Sequence, residues 1–220
     1  MVRAIIFDFD DTLVRTKEIS FEKHSEVGEH FGYGLKEEDF RRHYGKAWPE
    51  MISIIFPGLA FKDFYERLML MEKDFAFKEV DGAAATLRLL RGTGFTLGIL
   101  SGDFRDSFIR RASRLGHLEC FDDKLIFCAD DVAHPKPDGR AFQPVLESLA
   151  SIGIAKEEAV FVGDLLIDYL AARGAGVDFF AVMTGFQKAS DFLDAGLPVG
   201  RILSSVAELP SRLGIGEVLP

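Results

Sequence analysis

Short apolar runs alternate along this 220-residue chain with stretches of helical pattern, and that alternation limits the fold more than any other feature. The runs are Ala4–Phe9, Thr96–Leu100, Leu125–Cys128, Ala159–Val162 and Phe179–Val182. They are brief and almost uninterrupted in their hydrophobicity, as strands buried on both faces are. Between them Gly82–Arg91, Phe104–Leu115, Arg140–Ile152 and Asp168–Ala175 read as helices. Gly92, Gly94, Gly116, Gly153, Gly174 and Gly176 stand near helix ends, where a left-handed residue is favoured. The expectation is therefore an α/β fold, a parallel sheet covered by helices on both faces.

One interval breaks the rhythm. From Arg15 to about Glu79 no convincing strand is present. Phe21, His24, Val27 and Phe31 recur at helical spacing, Glu38–Tyr44 and Glu50–Phe56 read as short helices, and Phe61–Phe77 as a longer one. The apolar face of the last carries Phe61, Phe64, Tyr65, Leu68, Met71 and Phe75. An all-helical insertion over residues 15–79 reads as a second small domain, set into an α/β core of residues 1–14 and 80–220. With 48% hydrophobic residues the chain can bury a substantial core.

Lys and Arg number 26 against 35 Asp and Glu, a net charge of −9, which disfavours nucleic acid or an anionic membrane as partner. A small anionic substrate needs only local positive charge and stays open. No apolar run approaches the roughly 20 residues of a membrane span, and no secretory signal is expected. Cys120 and Cys128 are too few for a disulfide framework and suit a reducing cytoplasm.

Four strand ends carry chemistry. Ile5-Ile6-Phe7 runs into Asp8-Phe9-Asp10-Asp11-Thr12, and alternation sets Asp8 and Asp10 on one side of the extended chain. Such a pair fits a hard cation between the acids, one carboxyl held protonated, or a solvated strand end. Leu97–Leu100 ends in Ser101-Gly102-Asp103, which offers a hydroxyl and backbone N–H groups to an anion or simply caps a helix. Lys136, between Pro135 and Pro137, is a point charge on a stiff extended segment. Val160–Val162 delivers Asp164, with Asp168 one helical turn later. Each segment has an ordinary structural explanation; together they bring acid, hydroxyl, lysine and acid to one edge of the sheet.

In this order and spacing, DFDDT, ILSG, HPKPD and VGDLLID resemble the four motifs of the haloacid dehalogenase superfamily of aspartyl-nucleophile phosphotransferases, and most closely its phosphoglycolate-phosphatase-like branch. The resemblance implies a Rossmann-like core and makes the helical insertion a cap domain. It implies Asp8 as nucleophile on phosphorus and Asp10 as the acid and base that serves the leaving oxygen and then water. Lys136 would neutralise charge; Thr12, Ser101, Gly102 and Lys136 would surround the phosphate. Mg²⁺ would be bound by Asp8, Asp164 and the main-chain carbonyl of Asp10, with Asp168 orienting that shell. Lys46 and Trp48, in a loop joining two cap helices, would meet the substrate. Arg41 and Arg42 are candidates for an anionic leaving group.

Three positions depart from the pattern: Gly102, Leu165 and Arg15. None removes a catalytic group. The expected activity is Mg²⁺-dependent hydrolysis of a small phosphorylated metabolite in the cytoplasm, by a monomer or homodimer. A phosphomutase would use the same acids, and a phosphoacceptor signalling module is the alternative of another class.

Overall fold

The computed structural model describes residues 1–71 and 76–215. It divides into two compact units, Met1–Arg15 with Lys78–Pro220, and Thr16–Phe77.

The strands of the first unit are β1 (Ala4–Phe7), β2 (Val14–Arg15), β3 (Lys78–Glu79), β4 (Thr96–Leu100), β5 (Ile126–Phe127), β6 (Ala159–Gly163), β7 (Asp178–Val182) and β8 (Ile202–Leu203). Six of them form a parallel sheet in the order β5-β4-β1-β6-β7-β8. β1 is central: Ile5 faces Leu97 on one side and Val160 on the other, and Phe7 faces Ile99 and Val162. The chain moves outward in one direction through β4 and β5, then restarts beside β1 and moves the other way. Ligands bind beyond the carboxyl ends of the strands at such a reversal.

Every residue of β1 is fully buried, which explains its unbroken hydrophobicity. Phe142, Phe161, Phe179 and Phe192 fill the core beside β6 and β7, with Phe142 edge-on to Phe161 at 5.1 Å and Tyr169 5.6 Å from Phe179. Each such phenylalanine contributes on the order of 1.5–3 kcal/mol by leaving water. In β4, a side chain at Gly98 would bring a Cβ within 2.7 Å of the Leu125 carbonyl and 2.8 Å of Ile6 Cδ1. Only glycine lets those elements approach so closely.

The strands depart from expectation at their ends. β1 stops at Phe7, not Phe9, because the Phe9 carbonyl accepts the N–H groups of Leu13 (2.9 Å) and Val14 (3.1 Å) and turns the chain. The antiparallel pair β2–β3 falls at the two edges of the interval read as free of strands. Two residues per strand are too few for an alternating pattern to register.

The main helices of this unit are α5 (Ala83–Gly92), α6 (Arg105–Arg114), α7 (Gln143–Ser151) and α8 (Leu166–Ala175), followed by α9 (Ala189–Asp194) and α10 (Leu209–Arg212). α7 begins three residues later than expected, because a tighter turn over Gly139–Phe142 is started by the Asp138 carboxylate accepting the Arg140 N–H at 2.8 Å. Cys120 and Cys128 are buried free thiols. Among the described residues no helix is long and apolar enough to cross a membrane.

The second unit consists of α1 (Lys17–His30), α2 (Glu37–His43), α3 (Trp48–Ile55) and α4 (Phe61–Met71). Its core is aromatic: Phe40, Phe56 and Phe64 are fully buried, and the His24 ring lies 5.0 Å from Phe40 and 5.3 Å from Phe64. Gly28 on α1 is where a Cβ would fall 2.5 Å from the Phe56 ring, so the missing side chain makes room for an aromatic one. Phe31, the last of the residues at helical spacing, is exposed just beyond the end of α1. Phe75 lies outside the described residues.

Candidate active site

Asp8 stands where β1 leaves the sheet, its N–H still donating to the Val162 carbonyl at 2.8 Å. Ser101 follows β4 and Asp164 follows β6, the two strands flanking β1, so parallel pairing alone brings them beside Asp8. Lys136 reaches in from the segment after β5. Its Nζ donates to Asp8 Oδ1 (2.7 Å) and to the Leu100 carbonyl (3.1 Å), and lies 2.6 Å from Asp168 Oδ1.

Asp168 is held at the start of α8, where its Oδ2 accepts the Leu165 N–H at 3.0 Å. A Cβ on Gly163 would come within 2.6 Å of that oxygen, so glycine at the end of β6 is what lets the carboxylate tuck in. Asp164 is gripped differently. The Thr12 hydroxyl donates to its Oδ1 at 3.3 Å, while its Oδ2 is buried with no hydrogen-bond partner. Gly185, after β7, again leaves the room: a Cβ there would overlap Asp164 Oδ2.

The turn that carries Asp10, Asp11 and Thr12 is tight. Asp11 adopts φ 53°, a left-handed conformation that aspartate tolerates better than most residues. Its N–H donates to the Val14 carbonyl at 2.7 Å, and its own carbonyl accepts the Thr184 hydroxyl.

Carboxylate oxygens of Asp8, Asp164 and Asp168 lie within 4.8 Å of one another, and all three residues are buried. Lys136 brings one positive charge to these three negative ones. Burial pushes the Asp8 carboxyl up to about 8 despite the pull of Lys136, with Asp168 and Asp10 adding to the rise. Asp164 is driven well above the usual carboxylate range, first by burial and then by Asp11 and Asp8. Burial would lower Lys136, but Asp168 and Asp8 outweigh it and hold the ammonium firmly charged. Ionising all three acids would therefore leave negative charge that Lys136 alone does not offset, and Asp164 has an orphaned oxygen. A hard divalent cation answers both, and the all-oxygen donor set is the kind Mg²⁺ takes.

Asp10 is placed apart from that trio. Its carboxylate is clasped by Arg111 of α6, with Nη1 2.5 Å from Oδ1 and Nη2 3.1 Å from Oδ2, and Arg111 Nη2 also reaches Asp103 Oδ2. Ser101 is buried, its Oγ accepting the Asp103 N–H at 3.1 Å. Gly102 is exposed, and a Cβ there would meet nothing within 4 Å, so its lack of a side chain is not a packing requirement.

Comparison with known proteins decides the family: the model of the haloacid dehalogenase-like hydrolases matches residues 5–182. The chain belongs to that family. It is 31% identical over 178 residues to the pyrophosphatase PpaX of Bacillus velezensis, a match covering 80% of each chain. CbbY from Rhodobacter sphaeroides, solved in complex with phosphate, is similar with a TM-score of 0.80 over 95% of this chain and 96% of that one, at 24% identity. A HAD-superfamily hydrolase of subfamily IA, variant 1, from Geobacter sulfurreducens gives 0.66 over 98% and 97%, also at 24% identity. The two structures establish the shared fold.

In this haloacid dehalogenase-like hydrolase, then, Asp8, Lys136, Asp164 and Asp168 converge on one pocket, with Thr12 bonded to Asp164. Asp168 lies within the carboxylate trio, one oxygen accepting the Leu165 N–H and the other 2.6 Å from Lys136 Nζ. The residues missed by sequence reasoning are Arg111, Asp103 as its partner, Thr184 and Gly185. Arg111 was detectable, since it shares the helical face of Phe108 and Ala112 and is buried with them.

Lys46 and Trp48 are found in the helical unit. Trp48 opens α3 and is not in the preceding loop, with its ring 5.8 Å from His24 and 6.1 Å from Tyr65. Lys46 pairs with Glu50 at 2.5 Å. Arg41 and Arg42 make exposed pairs one turn away with Glu37 and Glu38, an arrangement that serves α2 itself.

Proposed function

We propose that this hydrolase cleaves a small phosphate monoester in a Mg²⁺-dependent reaction, with Asp8 as the nucleophile. The observation that carries the reading is the placement of Asp8: a buried carboxylate at the end of the central strand, 2.7 Å from Lys136 and grouped with Asp164 and Asp168. A carboxylate anchored this way can attack phosphorus while the lysine limits charge build-up.

Asp8 would form the new bond to phosphorus as the bond to the leaving oxygen breaks, giving an aspartyl-phosphate. Asp10 would give its proton to that leaving oxygen, then take one from the water that releases phosphate. Ser101 Oγ and the backbone around Gly102 would hold phosphoryl oxygens, with Thr12 steadying Asp164. Asp8, Asp164 and the main-chain carbonyl of Asp10 would hold Mg²⁺, with Asp168 alongside. The ion, when bound, supplies charge neutralisation at the transferring group. The phosphoglycolate-phosphatase-like pattern of the four motifs supports a small cytoplasmic metabolite as substrate.

The 31% identity to PpaX favours a second substrate, inorganic pyrophosphate, for the same chemistry. Phosphate release from a panel of metabolite monoesters and pyrophosphate, with and without Mg²⁺, separates the readings. Preference for a monoester supports the first, preference for pyrophosphate the second, and a phosphorylated product without free phosphate would indicate a mutase. No Mg²⁺-dependent turnover of any of them would overturn the proposal.

A further inference from the structure

We propose that Arg111 is a positioning residue for Asp10 and that it ties the orientation of Asp10 to the phosphate-side residue Ser101. The inference rests on the reading of Asp10 as the group that protonates the leaving oxygen.

The Arg111 side chain is 4% exposed, the most buried of the four arginines on α6. A guanidinium out of water is costly unless carboxylates pair with it, and here the pairing is made by the two terminal nitrogens. Here the fork meets both oxygens of Asp10 and one of Asp103, and its flat face lies 5.1 Å from the Phe9 ring centre. Phe9 is braced in turn by Phe108 at 4.8 Å, edge to face.

Asp103 is no free counter-ion. It is fully buried in its side chain, its Oδ1 accepts the Phe104 N–H at 2.9 Å, and its carbonyl accepts the Ala129 N–H at 2.8 Å. Its own N–H donates to Ser101 Oγ. A continuous chain therefore runs Ser101, Asp103, Arg111, Asp10. Every link but the last is buried, whereas the Asp10 side chain is 28% exposed and can reach a ligand.

A bidentate guanidinium fixes the plane of a carboxylate, not just its distance. Asp10 lies in a turn after β1, where nothing in the sheet ladder would set its side-chain torsion. Arg111 supplies that constraint, and it does so from the element that follows Ser101. Arg111 touches no reacting atom in this account; it acts through Asp10.

The test uses leaving-group dependence, which a purely structural role would not move. In the full-length enzyme with Mg²⁺, kcat/KM is measured for phosphate esters from activated nitrophenols to simple alkyl alcohols. Asp10→Asn serves as the reference. Arg111→Met is expected to lower kcat/KM about 10- to 100-fold more for alkyl than for activated aryl esters, within the range of general acid catalysis. Arg111→Lys, which keeps a buried cation but loses the fork, should show the same trend more weakly. Equal losses across the series in folded Arg111→Lys protein, while Asp10→Asn discriminates, would overturn the positioning role alone. If Asp10→Asn itself does not discriminate, the assignment of Asp10 falls and the inference with it.

Discussion

Lys136 Nζ bridges Asp8 and Asp168, 2.7 Å from one carboxylate and 2.6 Å from the other, in a pocket where all three side chains are buried. Neither acid has another cationic side chain within ion-pairing distance among the described residues. The lysine is thus both a structural keystone for the strand ends and the fixed positive charge beside the proposed nucleophile.

Removing it should therefore damage both properties. Lys136→Met leaves two buried carboxylates without their cation, and breaking a buried pair from one side costs about 3–5 kcal/mol. Urea denaturation should show that loss, and Mg²⁺-dependent phosphate release should fall below detection. An unchanged unfolding midpoint would show that the bridge carries no stability.

Asp164 depends on a missing side chain. Because a Cβ at Gly185 would overlap Asp164 Oδ2, Gly185→Ala should displace the carboxylate while leaving the sheet intact. Far-ultraviolet circular dichroism should be unchanged, and the Mg²⁺ concentration for half-maximal activity should rise by at least about tenfold, as loss of a supporting contact does at metal sites. Unaltered Mg²⁺ dependence would detach Asp164 from the metal.

Mg²⁺ should also be visible without turnover. An ion that binds only the folded chain stabilises it by mass action, by about 2.7 kcal/mol at a hundredfold excess over Kd, and so raises the melting temperature. Thermal melts in Mg²⁺ against EDTA should separate for the wild type and coincide for Asp164→Asn. Coincident melts for the wild type would argue that the acidic trio holds no cation.

Acid stability has a different origin. Glu79 Oε2 accepts the Ala84 N–H at the start of α5 and faces His117 Nε2, each at 3.0 Å. Burial alone would raise its carboxyl, but the His117 and Ala84 hydrogen bonds outweigh it and hold it below the ordinary 4.5. A lowered carboxyl adds stability that is fully present above 4.5 and disappears as pH falls through the folded value. The melting temperature of Glu79→Gln should therefore fall less steeply than that of wild type in this acid range. Parallel curves would remove Glu79 from the acid transition.

The strand ends were readable because each one breaks a strong rule: an apolar run long enough for a buried strand meets an acid or a hydroxyl. Ser101 and Asp164 follow two different strands and Lys136 lies in the segment after a third, and only the sheet order puts them together. Arg111 shares its helix with Arg105, Arg110 and Arg114, so its residue type does not single it out. Only its phase, three residues after Phe108, separates it from them. Gly185 left no mark, because the need for glycine there is imposed by Asp164 from another loop. The β2–β3 pair and β8 are two residues each, below the length at which periodicity carries information.

The central claim is that Asp8 carries the phosphoryl group. Borohydride reduces an aspartyl-phosphate to homoserine, so the wild-type enzyme is quenched with borohydride during turnover and its peptides are sequenced by mass spectrometry. The account predicts homoserine at position 8 in the presence of Mg²⁺ and substrate, and at no other aspartate. Homoserine at position 10 or 164, or none under conditions of rapid phosphate release, would contradict it.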